Sequence, residues 1–530
     1  MKSRMWKFWI FCLAVPAIIS YADINTYQQW DVIDLTFQSA NVPKQPSSAL
    51  FYANFQGPME QEMRVNGFYN GGTEWIIRFA PPTPGDWSYV TRSTVEGLSE
   101  QTDTLHVGPN NNLDRHGPLM LYPDLPQHFS YADGTPSFLL SFECDWLFTL
   151  DLDNANDIPN TKKLVDTIAA NGFNQVVMNV YAHDVSWAKD PNLKAEHDFS
   201  SPSMWPFGGT NDAPDFRIFN VEYFKRLDRV MYYLNEKNII AHLMIYVWNK
   251  EVTWPAMYSR VDDYYFYYVA ARYQAFPNLV WDISKEALTY GRCDDNYIHN
   301  RIKRLRKWDG HKRLITVHDY GYCSRFPKKV DFISIQTWQS DLYSGMRNVR
   351  ERHVEQPILN IEHGGYESGP YEVFAGDYTD PVIGLERAYE CVFASTYPTY
   401  YWQCTAWNVI IPDPMNLPQR DRPQFEYYKY LRILFQDIDF SSLTPTQDLA
   451  SSGYGLTDEE SICMFLLPKE NDFIHVHIKD DSFRVVDATW FNPLTGKSDK
   501  RGRIELQDWH TFQPPWHNQM TVLILRKSIE

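Results

Sequence analysis

Between about residues 115 and 440, short β-rich runs alternate with stretches of helical period, and this rhythm constrains the chain more than any other feature. The strand candidates are SFLLSFEC, FNQVVMNV, IIAHLMIY, NLVWDI, RLITVH, DFISIQ, PILNIE and PTYYWQ. Between them, NTKKLVDTIAANG, VEYFKRLDRVMYYLNEKN, DDYYFYYVAARYQAF, YIHNRIKRLRKW and GLERAYECVFAS place apolar residues at i, i+3, i+4 and i+7. Strands separated by helices run parallel, and eight of them close a (β/α)8 barrel. An open doubly wound sheet is the structural rival, but no glycine-rich phosphate turn follows the first strand. The expected fold class is therefore α/β, with a TIM barrel over residues 113–440.

The flanks have a different period. From 23 to 112, ALFYANF, GFYNGG, EWIIRFAPPTPGDWSYV and DTLHVG alternate apolar and polar residues between turn signals, as a small Ig-like β-sandwich does. From 441 to 530, SICMFLLP, FIHVHI, FRVVDATWFN and MTVLILRK predict a second all-β sandwich domain without long helices. The first 22 residues combine a basic start, MKSRMWK, with the apolar run FWIFCLAVPAII and the small-residue ending SYA. They read as a signal peptide cleaved after Ala22, which directs the chain to the periplasm or outside the cell. That run is too short for a membrane span of about 20 residues, and no other candidate follows.

Loss of the signal takes the formal charge from −17 to −20, which argues against nucleic acid as a partner. Six cysteines remain, without CxxC or zinc spacing; a dense disulfide framework is excluded, and one or two bridges are left open. No HExxH-like pair occurs, so neither a metal nor another cofactor is assigned.

In a barrel of this type, chemistry sits at the carboxyl ends of the strands. The first run ends in Glu143, Asp145 and Trp146. The second delivers Asn179, Tyr181 and His183, and the third Tyr246, Trp248 and Asn249. The fourth ends in Asp282 and Glu286, the fifth in His318, and the sixth in Gln336 and Trp338. The seventh ends in Glu362 and His363, and the eighth in Trp402 and Trp407. Paired carboxylates in a cleft of Trp, Tyr, Asn and His suit glycoside hydrolysis, in which one carboxyl must be protonated while the other is ionised. Aromatic faces would stack on sugars, and Asn, Gln and His would bond hydroxyls. Asp282 is expected instead to bond backbone or a barrel-interior partner.

With these residues in view, the middle region resembles the apiosidase-like glycoside hydrolases, which are related to the clan A retaining glycosidases. VAARYQAFPNLVWDISKE looks like the family's Ala-Arg helix and Asn-Val-x-Trp strand, and five residues beyond Trp281 lies Glu286 in the place of the acid. QPILNIEHGGYE is similar to the seventh-strand segment, with Glu362 in the second catalytic place. FLLSFECDW looks like the first-strand segment that carries an acid three residues before a tryptophan. The N-terminal part resembles an Ig-like domain of unknown function, and the C-terminal part a β domain of collagen-binding type. Two departures stand out: Lys285 replaces the Asn that usually precedes the acid, and HGG lengthens the seventh-strand spacing, which makes Glu367 a fallback for Glu362.

The resemblance implies a secreted glycosidase that uses Glu286 as general acid/base and Glu362 as nucleophile on a plant or algal polysaccharide, with retention. Lys285 would meet an anionic sugar or hold Glu286 ionised. The alternatives are a barrel that has lost catalysis and binds glycan, and an adhesion protein acting through its β domains.

Overall fold

The computed structural model describes residues 26–478 and 483–528; the signal-peptide reading lies outside them. The expected strands all form. They are β1 (Ser141–Glu143), β2 (Gln175–Asn179), β3 (Ile240–Val247), β4 (Leu279–Lys285), β5 (Ile315–His318), β6 (Ile333–Gln336), β7 (Ile358–Glu362) and β8 (Tyr397–Trp402). Parallel ladders run from β5 through β4, β3, β2, β1, β8 and β7 to β6. The gap between β5 and β6 is bridged mainly by side chains: Thr316 Oγ1 donates to the Phe332 carbonyl at 2.9 Å, and the Ile315 N–H to Asp331 Oδ2 at 2.7 Å. The barrel is thus nearly closed.

Helices follow each strand in turn: α1 (Pro159–Ala170), α2 (Val221–Glu236), α3 (Arg260–Tyr273), α4 (Asp295–Trp308), α5 (Tyr320–Arg325), α6 (Leu342–Arg352), α7 (Pro381–Phe393) and α8 (Phe425–Leu434). Their starts are chemically marked. Asn220, Ser259 and Asp294 each accept a hydrogen bond from the backbone N–H three residues on, which satisfies a donor that the helix itself leaves free.

The N-terminal sandwich packs a five-stranded sheet on a three-stranded one. Trp75, Phe79 and Trp87 fill its core and are at most 1% exposed, and the strand Glu74–Phe79 is buried on both faces because Ile76 and Arg78 meet the barrel. A six-stranded antiparallel sheet and a short two-stranded one form the C-terminal domain around Phe465, Trp490 and Leu523. The six cysteines of the described residues are free and buried, so the bridges left open by the sequence do not form.

The sandwich is fixed to the barrel by a buried ion network. Arg78 contacts Asp34 at 2.7 Å and Asp228 on α2 at 3.0 Å, while Arg272 on α3 grips Asp228 at 2.7 Å and Asn70 at 2.9 Å. Removing one member of such a network strands its partners, at a cost of roughly 3–5 kcal/mol. Arg78→Met should therefore lower the stability of the full chain by about 3 kcal/mol in urea denaturation. A loss below about 1 kcal/mol, the scale of an exposed pair, would contradict this role.

Candidate active site

β4 supplies the centre of the site. Its register with β5 shifts between Asp282 and Lys285, and such an irregularity re-aims the side chains that follow. Asp282 stays structural, as expected: Oδ2 lies 2.9 Å from His242 Nε2, and Oδ1 accepts the N–H groups of Ser284 and His318. Lys285, 1% exposed, projects into the barrel. Its Nζ lies 2.7 Å from Glu143 Oε1, 3.1 Å from Asp145 Oδ2 and 2.9 Å from Glu362 Oε1. Burial disfavours this charge, but Asp145, Glu143, Glu362 and Glu286 outweigh it and hold the ammonium well above the usual lysine range. The ammonium is engaged on three sides, so Lys285 itself is not free to meet an anionic sugar; the same contacts hold Glu143 beneath the cleft, fully buried. Burial, with the charges of Asp145 and Glu362, pushes the Glu143 carboxyl well up despite Lys285.

Glu286 is the first residue beyond β4. It adopts φ 52°, a left-handed conformation that costs a non-glycine residue on the order of 1–3 kcal/mol. Its N–H donates to the His318 carbonyl at 3.0 Å, and its Oε2 accepts from Asn249 Nδ2. Burial first, and the Glu362 charge second, push its carboxyl up to about 7, with Lys285, Lys250 and Gln336 pulling the other way. Glu362, 4% exposed at the end of β7, accepts from Gln336 Nε2 at 2.8 Å and from the Tyr366 hydroxyl at 3.4 Å. His318 Nε2 stands 3.5 Å from Glu362 Oε1, and burial with Lys285 nearby holds its ring neutral, its pKa down to about 3. Above this group opens a cavity of about 520 Å³, lined by Glu286, His318, Gln336 and Trp338 among others.

Other residues expected from the strand ends are distributed unevenly. Trp146 sits under the Lys250 ammonium, 5.4 Å from it, and Trp407 joins Trp187, Tyr366 and Phe374 in an aromatic wall that continues to Trp338. Both polar side-chain atoms of the fully buried Asn179 lack a partner. His183 is half-buried on the loop after β2, its carbonyl accepting from Glu251 N–H and its ring Nδ1 unpartnered. Trp248 stacks on Tyr246, with its indole N–H free.

Four expected site residues lie outside the cleft. Tyr181 packs on Phe148, Trp205 and Tyr223; Tyr246 donates its hydroxyl to Asp262 on α3 at 2.6 Å. His363 is fully buried, with Arg387 on its carbonyl, and Trp402 donates to the Ser368 carbonyl beside Phe425 of α8. On β7 and β8 the cause is the two-residue side-chain period: Glu362 points in and His363 out, and Tyr401, beside Glu143 and Glu362, points in while Trp402 points out. That period in PTYYWQ would have identified Tyr401. Lys250 was also missed; its Nζ is 3.7 Å from Asp145 Oδ2, and only its position directly after WN marks it. Burial and the Lys285 charge lower its pKa. Glu367, the fallback, binds the Tyr400 hydroxyl at 2.6 Å and the Gln424 N–H at 2.7 Å, facing α8.

The raised Glu286 carboxyl links stability to pH. Its ordinary value is 4.5 and its folded value about 7, so the folded state retains the proton longer and stability falls as pH rises through that window. The loss should be on the order of 3 kcal/mol. Glu286→Gln should match wild type at pH 4 and exceed it at pH 8 in denaturation midpoint; equal midpoints at pH 8 would place Glu286 in ordinary solvation.

Comparison with known proteins agrees with this fold. The family model "Apiosidase-like, catalytic domain" matches residues 126–421, and a domain of unknown function matches 26–94. A candidate glycoside hydrolase from Bacteroides vulgatus ATCC 8482 aligns with a TM-score of 0.75 at 19% identity, covering 94% of this chain and 99% of the other. A family 5 glycoside hydrolase from the same strain aligns at 0.59 and 15% identity, covering 78% and 94%. Another glycoside hydrolase aligns at 0.57 and 17%, covering 78% and 97%. At these identities the structural likeness establishes the fold. No curated protein matches. The family model spans more than half of the chain, β1 through β8 included, and the chain belongs to the apiosidase-like family of glycoside hydrolases.

Proposed function

We propose that the protein is an exported glycosidase that cleaves a plant or algal polysaccharide, or its oligosaccharides, through Glu286 and Glu362 with retention of configuration. The observation that carries this reading is the unequal environment of two neighbouring glutamates at the ends of β4 and β7. Glu286 holds a proton to about pH 7, as a group that must protonate the leaving oxygen requires. Glu362 receives Lys285, Gln336 and Tyr366, donors that orient a carboxylate for attack on the anomeric carbon. In the second half-reaction Glu286 takes a proton from water, and the water replaces Glu362 on the sugar.

Buried polar atoms without partners gather at the same end of the barrel: the indole N–H groups of Trp146, Trp248 and Trp338, the amide of Asn179, and Asn249 Oδ1. Such atoms are costly unless a ligand satisfies them, and sugar hydroxyls both donate and accept. Export rests on the first 22 residues. Among the described residues, no helix is long and apolar enough to cross a membrane.

Product release from a panel of plant and algal polysaccharides tests the proposal. Wild type should release sugar with the initial product in the substrate's anomeric configuration, and Glu286→Gln and Glu362→Gln should each lose on the order of 10²–10⁴-fold in rate. A glycan bound equally by all three proteins and cut by none would make the barrel a receptor.

A further inference from the structure

We infer that Asn249 is a positioning and specificity residue for the acid: its amide N–H determines which oxygen of Glu286 carries the proton, and its carbonyl oxygen receives a hydroxyl of the sugar beside the bond being cut. The inference rests on the reading of Glu286 as the proton donor.

Asn249 is half-buried on the turn that follows β3. The turn is anchored on both sides, since Trp248 N–H donates to the Lys285 carbonyl and Trp254 Nε1 to the Val247 carbonyl at 2.9 Å. From this position Asn249 Nδ2 donates to Glu286 Oε2. An oxygen that accepts an N–H bond keeps its lone pairs, so the Asn249 contact favours the proton of the neutral acid on Oε1. The other half of the amide has no such use inside the protein: Asn249 Oδ1 is buried and without a partner. A buried acceptor left unpaired costs about 1–3 kcal/mol. Oδ1 and Nδ2 share one carbon, so the free oxygen lies beside the Glu286 carboxyl, where the glycosidic oxygen must arrive. The hydroxyl nearest that oxygen is on the carbon next to the anomeric centre, and bonds to it strengthen in the oxocarbenium-like transition state. Asn249 thereby ties recognition of that hydroxyl to placement of the proton.

The electrostatic sign is fixed by the surrounding groups. Glu286 faces Glu362 from β7, Lys285 from β4, Lys250 from the Asn249 turn, the neutral His318 from β5, and Tyr290 beyond it. Against that fixed background, the Asn249 N–H favours ionised Glu286. Its loss makes the acid hold its proton to higher pH.

The test compares wild type, Asn249→Leu, the isosteric Asn249→Asp and Glu286→Gln in the full chain. The probes are a benzyl glycoside of the released sugar, whose leaving alcohol needs protonation, and its 2-deoxy counterpart. The basic limb of kcat/KM should move to higher pH in both Asn249 variants, and further in Asn249→Asp, which adds a negative charge. The preference for the hydroxylated over the deoxy substrate should shrink at least about tenfold in Asn249→Leu, the loss of one buried hydrogen bond. Asn249→Asp retains side-chain volume, so its limb shift is read on a folded protein even if Asn249→Leu fails to fold. A folded variant that keeps its basic limb or, for Asn249→Leu, its hydroxyl preference at the wild-type value overturns the inference. Activity persisting in Glu286→Gln would instead remove the acid/base reading on which it rests.

Discussion

A single buried ammonium holds the catalytic end of the barrel together. Lys285 Nζ is within 3.1 Å of carboxylates from β7 and from β1 and the turn after it. An ion so deeply buried must be compensated on several sides, because its desolvation penalty amounts to several kcal/mol. The compensation is also what shapes the site: Lys285 draws Glu143 and Asp145 beneath the cleft, fixes one oxygen of Glu362, and leaves Glu286 above the cluster, facing the cavity. At the next residue, burial and the Glu362 charge work against Lys285 and push the Glu286 carboxyl up to about 7. Two glutamates made chemically unequal in this way are what bond cleavage between sugars requires.

The strain at Glu286 belongs to the same construction. A left-handed conformation at a non-glycine residue persists only where its surroundings over-determine it. Here the register shift in β4, the bond from Glu286 N–H to the His318 carbonyl and the Asn249 contact all hold it. The flanking domains act at a distance from this chemistry. The Arg78, Asp228 and Arg272 network locks the N-terminal sandwich onto α2 and α3, and Tyr454 of the C-terminal domain stacks on Tyr343 of α6 with ring centroids 3.9 Å apart. Both clamps bear on helices that surround the strands, not on the strand ends.

Much of this was legible in the sequence because buried parallel strands leave a strong mark: short Val-, Ile- and Leu-rich runs between helical stretches locate every strand of the barrel. The strand ends likewise brought Glu143, Glu286, His318, Gln336 and Glu362 together. What the sequence did not reveal is direction. Tyr246, His363 and Trp402 sit where polar or aromatic site residues belong, yet point outward, and Tyr401 points inward from a run whose three aromatic residues only the two-residue period tells apart. Lys285 was legible as an oddity but not as a hub, because its partners come from positions 143, 145 and 362, and one sequence carries no sign of such long-range pairing. Lys250 follows β3 in a turn held by bonds from Trp248 N–H to the Lys285 carbonyl and from Trp254 Nε1 to the Val247 carbonyl.

The central claim is that burial and the neighbouring Glu362 leave Glu286 protonated near neutral pH, and the most direct measurement is an infrared difference titration of its carboxyl, taken as wild type minus Glu286→Gln from pH 4 to pH 9. The account predicts a protonated carboxyl band that disappears with a midpoint near 7. A difference band titrating near 4.5, the value of an unperturbed glutamate, would contradict it.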